Sequence, residues 1–354
     1  MIEKNDVRAA VSAGILTEAQ AASVIALADS RNGARESLSN SDEPFELFRG
    51  FNEIFIVVGL IILTMGWIGV VTFGTISYAQ HLKTYLIVAG ICGAAITWLL
   101  SEYFIRRRRM TAPAITLAVL FAGNAIYGFS SGTAQIFMLA QNDFSSLPLP
   151  LGLATLAMLG YWLRFRVPFA LAIIALSTFL VSILYAGTRS GNPEDWRDLF
   201  MLSADGPFAI ITLSLGLVVF GIAMRFDMSD PHRVTRRSAN GFWLHVIAAP
   251  ALVNTVALSL LDQNTTANNF ILFGFLTFFA IVAIVIDRRS FLITAIGYIV
   301  ALSRTVFDVQ DAAITVFALG IFLVFLGARW ERIRAFLMKF LPRIIPRHRL
   351  PPCS

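Results

Sequence analysis

The side chains with which this chain could do chemistry are a few serines, histidines, carboxylates and arginines set among apolar residues. Gly128-Phe129-Ser130-Ser131-Gly132 has the spacing of a nucleophile elbow, a motif that needs a strand before the serine and a helix after it. Here the serine instead closes an apolar run of helical length. His245 is the one histidine inside such a run. At ~1.5 Å rise per residue, Ser130 sits ~27 Å and His245 ~6 Å from the like-facing ends of their runs. A nucleophile and its base must lie within ~3 Å, so acyl transfer by this pair is excluded and no catalytic residue is expected. His81, His232, His245 and His348 show no i, i+4 pairing and no H-E-x-x-H, so neither a metal nor a cofactor is implied. His245, beside Trp243 and ahead of Pro250, reads as an interfacial residue on a kinked helix. With Asn52 and Glu53 it makes a candidate inner mouth, where a carboxylate entering hydrocarbon could take up a proton, although a water-exposed carboxylate at the interface is the commoner case.

A second constellation rests on depth. Asn124, Asn254 and Arg304 each fall ~18–20 Å along their runs. Arginine at mid-bilayer costs at least ~2.5 kcal/mol unless paired, and Asp308 lies one turn beyond Arg304. These residues could form a polar layer lining a cavity. They could equally make hydrogen bonds between helices, with Arg304 reaching outward.

The elements that must position them follow from composition. Of 354 residues, 57% are apolar and 14% charged, which excludes an ordinary soluble enzyme and a disordered chain. Runs of roughly spanning length occupy 51–74, 84–105, 112–131, 147–163, 167–187, 207–225, 241–262, 269–286, 291–306 and 312–329. A helix of ~20 apolar residues crosses ~30 Å of hydrocarbon, and the runs are continuous, not alternating as in a β-barrel. The expected fold is all-α, a polytopic transmembrane bundle of about ten spans at 51–329. A helical hairpin at 1–36, a polar linker at 37–50 and a basic amphipathic tail at 330–354 flank it. Asp6 is placed to cap the first hairpin helix, Gly14 to end it, and Thr17 with Gln20 to start the second. Small residues at Ala89, Gly90, Gly93 and Ala94 would let backbones approach closely.

With ten spans, 24 of the 28 Lys and Arg collect on one side and four on the other. The positive-inside rule makes the rich side, with both termini, cytoplasmic. The bundle then belongs in a plasma (inner) membrane. Arg106, Arg107, Arg108, Arg109, Arg236 and Arg237 would meet anionic lipid headgroups at that face. The hairpin carries five basic and eight acidic residues up to the linker's end, so nucleic acid is not an expected partner, whereas a protein docking on it is. Cys92, in an apolar run, is expected to be a small buried hydrophobe.

Three stretches carry a family likeness: Gly14-Ile15-Leu16-Thr17-Glu18-Ala19-Gln20, then Gly132-Thr133-Ala134-Gln135-Ile136-Phe137-Met138-Leu139-Ala140-Gln141, and a terminal helix through Gly320, Gly327-Ala328-Arg329-Trp330 and Arg334. The chain thereby resembles a bacterial family of multi-span membrane proteins of unknown function. The resemblance implies the architecture and supplies no activity. The favoured function is a permease using the polar layer; the alternatives are a non-transporting module that docks a partner or anionic lipid, and an intramembrane enzyme. The last is disfavoured by the missing catalytic constellations.

Overall fold

The computed structural model describes residues 4–17, 20–21, 23–24, 27, 51–135, 138, 143–191, 193, 195–231, 233, 235–262, 265–288, 309–340 and 350–351. Among them the chain is helical, with no strand. It divides into two compact units, Met1–Pro44 and Phe45–Ser354.

In the first unit, α1 spans Lys4–Ser12. Asp6, expected ahead of the helix, falls within its first turn. The end is as the glycine requires. Gly14 has φ +71°, its N–H donates to Val11 O at 3.0 Å, and the Ile15 N–H donates to Ala10 O at 2.9 Å. Together these form a Schellman closure that satisfies two orphan carbonyls. Thr17 and Gln20 exchange reciprocal bonds of 3.0 and 3.3 Å, the capping box that starts the next helical segment.

The second unit contains α2 (Phe51–Ser77), α3 (Leu82–Ser101), α4 (Ala112–Thr133), α5 (Pro148–Phe165) and α6 (Pro168–Ser190). It continues with α7 (Phe208–Ser229), α8 (Arg236–Asp262), α9 (Thr266–Val285) and α10 (Val309–Phe340). A π turn, Glu102–Arg107, prolongs α3. Prolines in the first turns of α4, α5 and α6 supply a preset φ where no backbone donor is needed. Among the described residues, six helices are long and apolar enough to cross a membrane: Asn52–Ser77, Ala79–Arg107, Ala112–Thr133, Pro168–Ser190, Phe208–Ser229 and Arg236–Leu260. Nine of the ten expected runs fall on described helices, and the ninth, 291–306, lies outside the described residues.

Large apolar side chains point outward. Phe73 is 75% exposed, Ile76 78% and Phe270 75%, which suits helices whose surrounding solvent is hydrocarbon. Cys92 is also exposed, not buried as expected, because it projects from α3 beside Ile91, 61% exposed.

Two sub-bundles share α6. The first packs α3, α4 and α5 around Trp98, Phe121, Tyr161 and Phe165, with ring centroids 4.6–6.0 Å apart. Gly90 and Gly128 let α3 and α4 touch backbone to backbone; a Cβ on Gly128 would lie 3.4 Å from Gly90 Cα. Across the α3–α5 contact, Ser101 Oγ donates to Thr97 O, so the Tyr161 hydroxyl, 2.8 Å away, donates to Ser101. The second sub-bundle joins α7, α8 and α9. Only 6% of the most apolar stretch of α2 is buried, against 50% for α8: α2 is peripheral, α8 central.

Candidate functional site

The second sub-bundle holds a charge cluster that the sequence did not single out. Asp227, in the last turn of α7, is 6% exposed. Arg288, just beyond α9, donates through Nε to its Oδ2 at 3.0 Å and through Nη2 to Oδ1. The same guanidinium donates to Ser238 O at 2.8 Å. His245 on α8 is 0% exposed, with Nε2 3.0 Å from Asp227 Oδ2 and its ring against Phe220, centroids 5.4 Å apart. A carboxylate accepts only, so His245 donates here through Nε2. Space for the carboxylate comes from Gly241, where a Cβ would run into Asp227.

A second layer closes over this core. Arg233 and Asp287, the turn residues after α7 and α9, both take left-handed φ, +55° and +54°, at roughly 1 kcal/mol each for a non-glycine residue. They are held by each other. Arg233 Nη1 lies 2.8 Å from Asp287 Oδ2, and its Nη2 donates to Ile286 O and Asp287 O at 2.9 and 2.8 Å. Trp330 Nε1 donates to Asp287 Oδ1 at 2.7 Å and ties in α10. Burial, then the neighbouring Arg288 charge, pull the Arg233 guanidinium below its usual pKa, and Asp287 opposes both. Carboxylates gripped in this way are positioned to join helices.

The other expected site residues fall elsewhere. Helix α8 begins at Arg236, and Thr235 Oγ1 accepts from the Arg237 N–H at 3.2 Å. Counted from Arg236, His245 is ~14 Å along its helix, buried and bonded to Asp227 in the last turn of α7. Ser130 remains ~27 Å along α4. Glu53 is 4% exposed and accepts from the Ala112 N–H at 3.0 Å, and from Thr111 N–H and Oγ1–H at 3.4 Å. A side chain of α2 therefore caps α4, whose own Thr111 makes no side-chain cap, at the end where the helix dipole favours an anion. Asn52 beside it is exposed. Arg106, Arg107, Arg108 and Arg237 are exposed and Arg109 half-buried, whereas Arg236 is only 6% exposed and faces protein instead of lipid. Arg304 and Asp308 lie outside the described residues.

Asn124 sits between two apolar clefts. One, of about 350 Å³, lies among α2, α3 and α4; the other, of about 250 Å³, among α3, α4 and Ala157 of α5. Neither is lined by any residue of α8, which carries Asn254, so these cavities do not unite the two asparagines. Three polar side chains of the larger cleft bond back to their own helices: Thr64 to Leu60 O at 2.7 Å, Thr97 to Gly93 O at 2.9 Å, and Asn124 Nδ2 to Leu120 O at 2.8 Å. Gly93 leaves room for the Asn124 amide and the Trp67 indole.

Among the described residues, no three His, Cys, Asp or Glu side chains are placed to hold a metal ion. Among the described residues, six helices long and apolar enough to cross a membrane are compatible with a helical membrane protein. No family model matches the chain, and neither does any curated protein or solved structure.

Proposed function

We propose that this chain is a multi-pass integral protein of a bacterial plasma membrane, with both termini cytoplasmic, that works by engaging lipid and not by conducting a solute. The sidedness rests on the 24-to-four division of Lys and Arg, and the bacterial setting on the family resemblance. One observation carries the non-conducting reading: at mid-depth in the larger cleft the Thr64 and Thr97 hydroxyls and the Asn124 Nδ2 donate to carbonyls of their own helices. A conducting path must offer polar partners to replace a solute's hydration. The charged cluster at Asp227 is closed by its own hydrogen bonds.

The permease reading, with Asn124 and Asn254 in a water-filled path, makes the opposite prediction. Single cysteines at Asn124 and Asn254, in a background lacking Cys92 and Cys353, are exposed to a membrane-impermeant thiol reagent in intact cells and in inverted vesicles. Both stay unlabelled if the path is closed to water. Labelling at both sites from either side would establish a polar pathway and end the non-conducting reading.

A further inference from the structure

The larger cleft opens sideways. Leu63, Val70 and Ile96 line it yet remain 54%, 63% and 42% exposed, so in a membrane its mouth faces acyl chains, not water. A void lined by apolar groups loses dispersion contacts on one side, and the neighbouring lipid is the material at hand to fill it.

The basic turn at the end of α3 supplies the other half of a lipid site. The cleft-lining residues Gly93, Thr97 and Leu100 recur at helical spacing, and beyond them α3 runs on through the π turn to Arg107 and Arg108. Leu100 lies ~10 Å and Gly93 ~21 Å along the helix from Arg107, a depth range that brackets the ~15 Å of hydrocarbon in one leaflet. Glu102, the carboxylate of that turn, is already engaged by Arg164 Nε at 2.8 Å and Arg106 Nη1 at 3.1 Å. It therefore draws on Arg106 and leaves the positive charge of Arg107 and Arg108 to face outward. Arg108 is steadied by Tyr103, with Nε donating to its hydroxyl at 3.2 Å and the guanidinium 5.6 Å from the ring centre.

We infer that the cleft between α2, α3 and α4 seats an acyl chain of one anionic phospholipid, whose phosphate is held by Arg107 and Arg108. The inference rests on the lipid-engaging reading above and adds the ligand class and the place.

The full chain, purified in mild detergent, is titrated with palmitoyl-oleoyl phosphatidylglycerol or phosphatidylcholine, and bound copies are counted by native mass spectrometry. One phosphatidylglycerol should be retained in preference to phosphatidylcholine. Arg107→Gln with Arg108→Gln should weaken it by about 25-fold, near five-fold for each cation lost. Gly66 lines the cleft and has open space where a Cβ would stand, so Gly66→Leu fills the cleft without a backbone clash. With both arginines intact it should weaken retention more than about ten-fold, the equivalent of two buried methylenes. Ile96→Phe is the second filling variant, used if Gly66→Leu does not elute as a single species. Dihexanoyl phosphatidylglycerol, with the same headgroup and short tails, should bind more weakly than the long-chain lipid. Unchanged retention in the filled variants, or equal binding of the short-chain lipid, would reduce the site to a charged surface and overturn the proposal. So would a dimer that dissociates on filling while lipid retention stays constant, since a second copy would then own the cleft. Thiol labelling at Asn124→Cys and Asn254→Cys with phosphatidylglycerol retention intact would instead sink the non-conducting reading and leave this site standing.

Discussion

The two sub-bundles solve the same problem by opposite means. Lipid tails are as apolar as leucine, so burying apolar surface does little to hold one membrane helix against another. Around α3, α4 and α5 the solution is neutral: Gly90 against Gly128, four interlocked aromatic rings, and one hydroxyl pair between Ser101 and Tyr161. Around α7, α8 and α9 it is ionic, with Asp227 gripped by Arg288 and His245, and Arg233 by Asp287. Neutral packing between large side chains leaves clefts beside Asn124. The ionic cluster sits at α8, half of whose apolar stretch is buried. The first region can hold something, whereas the second can hold itself together.

The largest effect should come from splitting the ionic half. Asp227→Asn keeps the shape but leaves the Arg288 charge uncompensated in a buried place, which costs about 3–5 kcal/mol. In detergent, the thermal midpoint should drop and amide-exchange protection should fall across α7–α9 while α3–α5 keep theirs. Replacing both partners, Asp227→Leu with Arg288→Met, should recover much of the loss, because well-packed apolar residues can substitute for a buried pair. A double variant as unstable as the single one would show that the hydrogen bonds to Ser238 and His245 matter more than the charge balance.

The matching break in the neutral half is Gly90→Val. Its Cβ meets the Gly128 backbone, which cannot swing away as a side chain could, so the helices must part at about 1–3 kcal/mol. Protection should fall in α3 and α4 alone. Equal loss in α7–α9 would mean that the two sub-bundles unfold as one and that the distinction is only chemical. The smallest effect is expected from Glu53→Gln. The amide still accepts from the Ala112 N–H but gives up the charge at the helix start, for about 0.5–1 kcal/mol. Fraying confined to the first turn of α4 is the expected exchange signature.

The helices were legible because hydrocarbon enforces continuous apolar runs, and the end of the first because Gly14, lacking a Cβ, accepts the left-handed φ of a helix-closing residue. The ionic cluster was not. Asp227 stands at the frayed end of an apolar run, and Arg288 begins a basic pair that looks like ordinary cytoplasmic charge. The readable hint was a carboxylate and a histidine at the near ends of two successive runs, Asp227 and His245. Gly241 is equally silent until Asp227 lies against it. Glu53 misled for a related reason: its spacing places it at the mouth of α2, while its partners are 58 and 59 residues away.

Sequence alone determined where the apolar runs lie and how long each one is. Those properties are set by composition and by hydrogen bonding within single helices, so each run carries its own signal. Which polar residues meet was decided only in three dimensions. The pairing of Asp227 with Arg288, the capping of α4 by Glu53 and the clefts that flank Asn124 all arise between helices. Their energies depend on distances that no spacing along one chain encodes.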